Sequence, residues 1–87
     1  MIHAAQMRAA RALLDISQTE LSELASVSVA TVKRLEAAAA IRGSAEAVWK
    51  VQKALEEAGV EFIPADEKGP GVRLRRSGSV KHTPRKR

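Results

Sequence analysis

The polar side chains that offer the most chemistry lie in the first half of the chain. Lys33 and Arg34 are adjacent in a segment with helical spacing, and Gln18 and Arg42 flank that segment. A guanidinium can pair with two acceptors at once and an ammonium is a compact point charge, so both bind anions and hydrogen-bond acceptors. The chemistry that these residues offer is recognition rather than bond making.

The residue pattern does not favour catalysis or metal binding. The chain has no cysteine, and its two histidines, His3 and His82, are far apart in sequence. It contains no Gly-rich phosphate loop and no nucleophile elbow, and Glu20 and Glu23 are a pair of the kind that is usually solvated. We therefore expect no enzymatic activity, no cofactor and no metal. The lack of cysteine also fits a reducing cytoplasm.

Length and composition favour one small helical domain. Of the 87 residues, 45% are hydrophobic, but only Trp49 and Phe62 are aromatic. Because a chain of this size buries only roughly 60% of the surface that its unfolded form exposes, dimerisation is expected to add stability. No apolar run approaches the roughly 20 residues of a membrane span, and the start lacks the order of a secretion signal. These features predict a soluble cytoplasmic protein.

Charge is divided unequally along the chain. Residues 1–67 carry seven Lys or Arg against ten Asp or Glu, a net charge of −3, whereas residues 68–87 carry eight basic residues and no acid. A basic arm on a mildly acidic body suggests a polyanionic partner for the arm. A merely solubilising tail is the alternative, and the arm alone does not decide between them.

Apolar residues at steps of three and four predict four helices. The predicted helices span, in order, residues 2–14, 18–25, 28 to about 38 or 39, and 44–58. Ser17 with Glu20 forms a capping box at the second helix, and Ser28 and Ser44 can cap the next two. Several apolar positions are expected to face the core: Met7, Ala10, Leu13, Leu14, Leu21, Leu24, Val32, Leu35, Val48, Val51 and Leu55.

Two strands are predicted after Gly59, which stops the last helix. Residues 60–63 and 72–75 have strand character, and the connection between them contains Gly69-Pro70-Gly71. Because an isolated hairpin is marginally stable, it should pack on the fourth helix or pair with the same hairpin of a second chain. Residues 77–87 are expected to be disordered.

Residues 18–36, QTELSELASVSVATVKRLE, form two short helices joined by three residues. This segment resembles the helix-turn-helix of the Cro and lambda-repressor family, also called the XRE type, and the resemblance extends over roughly residues 4–58. It implies that helix 3 enters a DNA major groove about 12 Å wide. The residues expected to hold the two helices at a fixed angle are Leu21, Val27, Val32 and Leu35.

The resemblance implies a set of DNA contacts, with Gln18 on phosphate and helix 3 facing the bases. Arg34 can pair with guanine or else lie on a solvated helix face. For Lys33 the alternatives are phosphate contact and solvent. The apolar pair that begins helix 3 can touch thymine methyl groups or merely pack, and Arg42 can contact phosphate at the start of helix 4. The full predicted set is Gln18, Ser28, Val29, Ala30, Thr31, Lys33, Arg34 and Arg42.

Three residues stand apart from this set. Trp49 is expected in the core or in a dimer contact rather than as a nucleic-acid stacking residue. The family usually has Ala where Ser22 stands and Gly where Ser26 stands. Ser22 is small enough for its position, but Ser26 has to accept a left-handed backbone that Gly adopts at less cost.

The whole sequence predicts a mainly α fold: a four-helix repressor-type domain over 1–59, a β-hairpin over 60–76 that can serve in dimerisation, and a disordered basic tail over 77–87. The resemblance implies a homodimeric, sequence-specific regulator of transcription, most simply a repressor. Because the body is acidic, Arg73, Arg75, Arg76 and the tail are expected to add DNA contacts. The alternative is an antitoxin-like or antiactivator-like protein whose hairpin and tail bind a protein partner. RNA binding is disfavoured because no aromatic stacking platform is present.

Overall fold

Four helices are followed by a two-stranded hairpin in the computed structural model, which describes residues 2–37 and 44–75. The elements are α1 (Ala4–Leu14), α2 (Gln18–Ala25), α3 (Val29–Ala37), α4 (Ala45–Glu57), β1 (Val60–Ile63) and β2 (Gly71–Leu74). The predicted mainly helical fold is thus confirmed, with the second strand one residue earlier than predicted. Arg42, the predicted end of helix 3 at Ala38 or Ala39, and the tail lie outside the described residues.

Serine hydroxyls begin three of the helices, as the sequence predicts. The Ser17 Oγ accepts a hydrogen bond from the Glu20 backbone N–H at 3.0 Å, and the Glu20 carboxylate accepts one from the Ser17 N–H at 2.8 Å. The hydroxyls of Ser28 and Ser44 accept from the third helical N–H in the same way, at 3.0 Å in each case. These bonds satisfy amide donors that a helix N-terminus otherwise leaves unpaired.

The core lies where all four helices and β1 meet, and it is built from aliphatic side chains. Its largest fully buried members are Met7, Leu21, Leu35, Leu55, Val32, Val51 and Val60. The prediction that Leu24 is buried is wrong, because the buried stripe of α2 runs through Leu21, Ser22 and Ala25 and leaves Leu24 56% exposed at its edge. Leu13 is likewise 43% exposed. In the described ranges no helix has both the length and the apolar character needed to cross a membrane.

The hairpin is antiparallel, with Glu61 opposite Arg73 and Phe62 opposite Val72. It packs on α4, as predicted, and also on α1, where the buried amide of Gln6 joins helix and hairpin. The Gln6 Nε2 donates to the carbonyl oxygens of Ile63 at 3.0 Å and Gly71 at 2.9 Å, and its Oε1 accepts from a backbone N–H of α1's cap. The hairpin is therefore fixed to the helical domain by polar as well as apolar contacts.

Candidate nucleic-acid interface

The outer face of α3 is a continuous exposed strip. Successive residues turn by about 100° around a helix, so Ala30, Lys33, Arg34 and Ala37 fall within one sector of about 100°, and all four are exposed. The opposite side of the helix is held in the core by Val32 and Leu35. Two cations thus share a helix face with two methyl groups and with no bulky side chain between them.

Side-chain hydrogen bonds cap the N-terminus of α3. The Ser28 and Thr31 hydroxyls lie 2.9 Å apart, and the Ser28 hydroxyl also accepts from the Thr31 N–H. Ser28 is exposed, whereas Val29 and Thr31 are half-buried. Of the predicted contacts at this end, Ser28 is the most accessible, and Val29 is partly used in packing.

The angle between α2 and α3 depends on a tight connection. Ser26 has φ 58° and ψ 45°, the left-handed conformation that the sequence predicts at this turn. Its N–H and that of Val27 bond back to the last turn of α2, to the carbonyls of Glu23 at 3.4 Å and Ser22 at 3.0 Å. Val27 packs against the core, as expected. The chain therefore turns from α2 into α3 within three residues, which leaves the outer face of α3 exposed to solvent.

Behind the interface, Glu36 is a buried carboxylate, with only 4% of the residue exposed. Its oxygens accept from Arg11 Nε at 2.9 Å, Arg11 Nη2 at 3.0 Å and Gln18 Nε2 at 3.0 Å. The Glu36 main-chain carbonyl accepts from the guanidinium of Arg8. The hydrogen bonds that Arg11 donates to Glu36 raise the pKa of Arg11 above its ordinary value, although burial opposes the shift. One carboxylate therefore joins α1, α2 and α3.

Gln18, which the resemblance places on phosphate, is half-buried at the start of α2. Its amide nitrogen is engaged by Glu36, so the orientation of the side chain is fixed in the free protein. Gln18 and the exposed strip of α3 are thus linked through the last turn of α3, where Glu36 lies beside Ala37 in the chain.

Charges near the interface differ in their availability. Within the described part of the chain, no carboxylate lies within ion-pairing distance of Lys33 or Arg34. Arg73, by contrast, pairs with Glu61 across the hairpin at 3.1 Å. Its hydrogen bonds lower the pKa of Glu61 and raise that of Arg73. Arg75 donates to the Glu56 carbonyl at 3.2 Å, so both hairpin arginines already have protein partners.

Two features of the interface were not predicted from the sequence. Ala37 completes the exposed strip, and its place one turn after Lys33 is a signal that helical periodicity provides. The ion pair of Arg11 with Glu36 lacks such a signal, because 25 residues separate the partners. Trp49, expected in the core or in a dimer contact, is not in the core, since it is 60% exposed.

This arrangement, a short helix with a free polar face held against a preceding helix by a three-residue turn, is the geometry of a helix-turn-helix. A sequence model of the helix-turn-helix family matches residues 7–61, well over half of the chain. No curated protein is a match for the sequence. The matched residues include most of α1, the whole of α2, α3 and α4, the turn and Glu36. The chain therefore belongs to the helix-turn-helix family of the Cro and lambda-repressor (XRE) type, a family of DNA-binding regulators.

Proposed function

We propose that this protein is a sequence-specific regulator of transcription, acting in the cytoplasm as a homodimeric repressor on double-stranded DNA. The observation that carries the proposal is the exposed strip of α3, in which Lys33 and Arg34 form no ion pair with any described residue. The opposite side of the helix is held in the core by Val32 and Leu35. A strip about one helix wide, with cations and small side chains, fits a major groove. Binding, not catalysis, is the activity proposed.

Within this proposal each side chain has a role that follows from its chemistry. Arg34 donates two hydrogen bonds to guanine O6 and N7, and Lys33 neutralises a phosphate. Ala30 and Ala37 lie against thymine methyl groups or leave room for the groove wall. Gln18 contacts phosphate through the part of its amide that Glu36 does not engage. The remaining proposed contacts are Ser28, Val29, Thr31 and Arg42, which precedes α4 by three residues in the sequence.

A homodimer reads two half-sites, and its symmetry predicts an inverted repeat. Recognition helices bound on one side of the duplex lie about 34 Å apart, one turn of DNA. Repression follows most simply from occupancy of such a site, because a bound dimer excludes other proteins from the same DNA. The basic residues 76–87 supply additional, sequence-independent attraction to phosphate.

The test is selection of bound sequences from random duplex DNA with the full chain. The proposal predicts enrichment of a two-fold symmetric site with half-site centres about 10 base pairs apart. Lys33→Ala combined with Arg34→Ala should abolish enrichment, whereas Lys68→Ala, on the exposed hairpin turn, should not. If folded wild-type protein enriches no sequence, the proposal is overturned in favour of the protein-binding alternative, an antitoxin-like or antiactivator-like chain.

A further inference from the structure

An apolar surface lies outside the candidate interface, between α2 and α4. Leu24 is 56% and Trp49 is 60% exposed, the largest values among the large exposed apolar side chains of the described residues. Both line one shallow groove of about 240 Å³, together with Ala54 and with the charged residues Lys50, Lys53 and Glu57. We call Leu24, Trp49, Lys53 and Ala54 the Trp49 surface. Apolar patches rimmed by charge on small proteins are commonly interaction sites.

Tryptophan is the side chain that contributes most often to the energetic centre of protein interfaces. Its exposure here leaves a large ring in water, partly covered by the Lys53 ammonium, 5.5 Å from the ring centroid. The inward positions of this part of α4 are taken by Val48 and Val51. The ring is therefore available to a partner without any change in the fold.

The charges on either side of Trp49 identify a partner that fits. Glu46 precedes Trp49 by three residues and Lys53 follows it by four, so they lie about 4.5 Å and 6 Å along the helix in opposite directions. At 100° per residue, both point to the same side of Trp49, about 60° and 40° around the helix. Their intrachain ion pairs, with Lys50 at 3.6 Å and Glu57 at 3.5 Å, are exposed ones of the kind worth little.

A second copy of α4, turned by a two-fold axis beside Trp49, runs antiparallel to the first. The rotation brings Glu46 of one copy to the level of Lys53 of the other, within about 1.5 Å along the helix and on the same side. By symmetry the contact contains two such pairs of Glu46 and Lys53, one at each end, and the two indole rings lie near the axis between them. The surface is thus complementary in charge to itself, which is what a two-fold interface requires.

The hairpin edge is a poorer place for a second copy. Pairing two β2 strands antiparallel with Leu74 at the two-fold axis would set Arg73 of each copy opposite Arg75 of the other, and like charges directly opposite on neighbouring strands are destabilising. A partner on the Trp49 surface would also leave the exposed strip of α3 free, because the two surfaces share no residue. Leu24 lies six residues from Gln18, about 9 Å along α2.

We propose that a second copy of this chain packs on the Trp49 surface, with the two α4 helices antiparallel across a two-fold axis beside Trp49. The inference rests on the proposed function, which requires a homodimer, and it names the surface and the contacts that form it. The Glu46 carboxylate of each copy pairs with the Lys53 ammonium of the other, and the two Trp49 rings exclude water between the helices.

The experiment measures dimerisation of the full chain by sedimentation velocity over a range of concentrations. It compares wild type, Trp49→Ala, Glu46→Lys, Lys53→Glu and the double variant Glu46→Lys/Lys53→Glu, with Lys68→Glu as a matched charge reversal elsewhere. Trp49→Ala and each single reversal should raise the dimer dissociation constant at least about tenfold. Lys68→Glu should leave it unchanged. Trp49 is the only tryptophan, so wild-type emission should shift to shorter wavelength as dimer forms.

The double variant is decisive because each reversal also sets like charges four residues apart within α4, beside Lys50 or Glu57. Those intrachain repulsions persist in the double variant. If its dimer dissociation constant nevertheless returns to within about threefold of the wild-type value, the recovery can come only from ion pairs between the two copies. Circular dichroism verifies that every variant folds. A monomeric wild type, unchanged single variants, or a double variant that does not recover would each overturn the inference.

Binding to a single DNA half-site is measured in parallel, which separates this inference from the proposed function. A dimerisation-deficient Trp49→Ala that keeps wild-type half-site affinity supports both. If the wild type dimerises through the Trp49 surface but binds no DNA, the proposed function fails and the inference stands. If dimerisation is unaffected by all these variants while DNA binding is specific, the inference fails and another surface, such as the hairpin edge, forms the dimer.

Discussion

The carboxylate of Glu36 and the guanidinium of Arg11 form a two-point ion pair, with Nε–Oε2 of 2.9 Å and Nη2–Oε1 of 3.0 Å. The pair joins α1 to the end of α3, and Gln18 brings α2 to the same carboxylate. The helix that carries the proposed base-reading face is therefore oriented by a polar contact on its buried side as well as by Val32 and Leu35.

We predict that Glu36→Ala lowers the free energy of unfolding by about 3 kcal/mol, because it leaves the Arg11 guanidinium, which is mostly buried, without its partner. Denaturant unfolding followed by circular dichroism measures the change. Glu23→Ala, on the exposed side of α2, should change the value by less than about 0.5 kcal/mol. Similar losses in the two variants would show that the buried pair does not stabilise the fold.

At the turn, Ser26→Gly should raise the free energy of unfolding by up to about 1 kcal/mol. Ser26 has φ 58°, a conformation that costs an L-residue about 1–2 kcal/mol and that glycine adopts freely, although glycine loses more backbone entropy on folding. Ala9→Gly, at an exposed position within α1, is the matched control and should lower the free energy of unfolding by about 1 kcal/mol. A destabilised Ser26→Gly would contradict the assignment of strain to this turn.

Much of this fold is predictable because local signals agree with tertiary ones. The boundaries of α2 follow from the Ser17 and Glu20 capping box, and the left-handed turn follows from the family position of Ser26. Leu24 was expected in the core and is exposed, and Trp49 does not take the core position that was one of its two expected places. Helical spacing identifies the apolar side of a helix but not how far the neighbouring helix covers it. In α2 the small residues Ser22 and Ala25 take the buried positions, so Leu24 lies at the edge.

The contacts that tie distant segments together could not be predicted in the same way. Gln6 bonds to carbonyls 57 and 65 residues later, and Arg11 to a carboxylate 25 residues later. No periodicity connects such partners. For the candidate site, the family resemblance indicated Ala30, Lys33 and Arg34, and the structure places all three on an exposed helix face. The partner that holds Gln18 had no signal in the sequence.

Gln6→Leu should loosen the hairpin. The substitution leaves the carbonyls of Ile63 and Gly71 without the amide that now donates to both, which should lower the free energy of unfolding by about 1–3 kcal/mol. Relative to wild type, the substitution should accelerate hydrogen exchange at the hairpin amides more than at the α2 amides. Gln52→Leu, which loses only an exposed bond to Glu56, is the control. Equal protection of the hairpin in both variants would contradict the predicted role of Gln6.

Removal of residues 77–87 should weaken binding to all DNA sequences and reduce the slope of log affinity against log salt. The segment contains four basic residues, so the slope should shrink by at most about 3.6. A variant that keeps the length of the segment but replaces its basic residues with serine should behave alike, since the effect is one of charge. An unchanged slope would show that the tail does not contact phosphate.

If the exposed face of α3 reads base sequence, Arg34 is the side chain on that face best suited to recognise a particular base. The measurement is the affinity of wild type and Arg34→Ala for the selected site with each of the four bases placed in turn at every position. Arg34→Ala should lose discrimination worth about 1–3 kcal/mol at one G·C pair in each half-site and keep the discrimination at the other positions. Equal weakening at every sequence, or no change at all, would contradict base reading by Arg34.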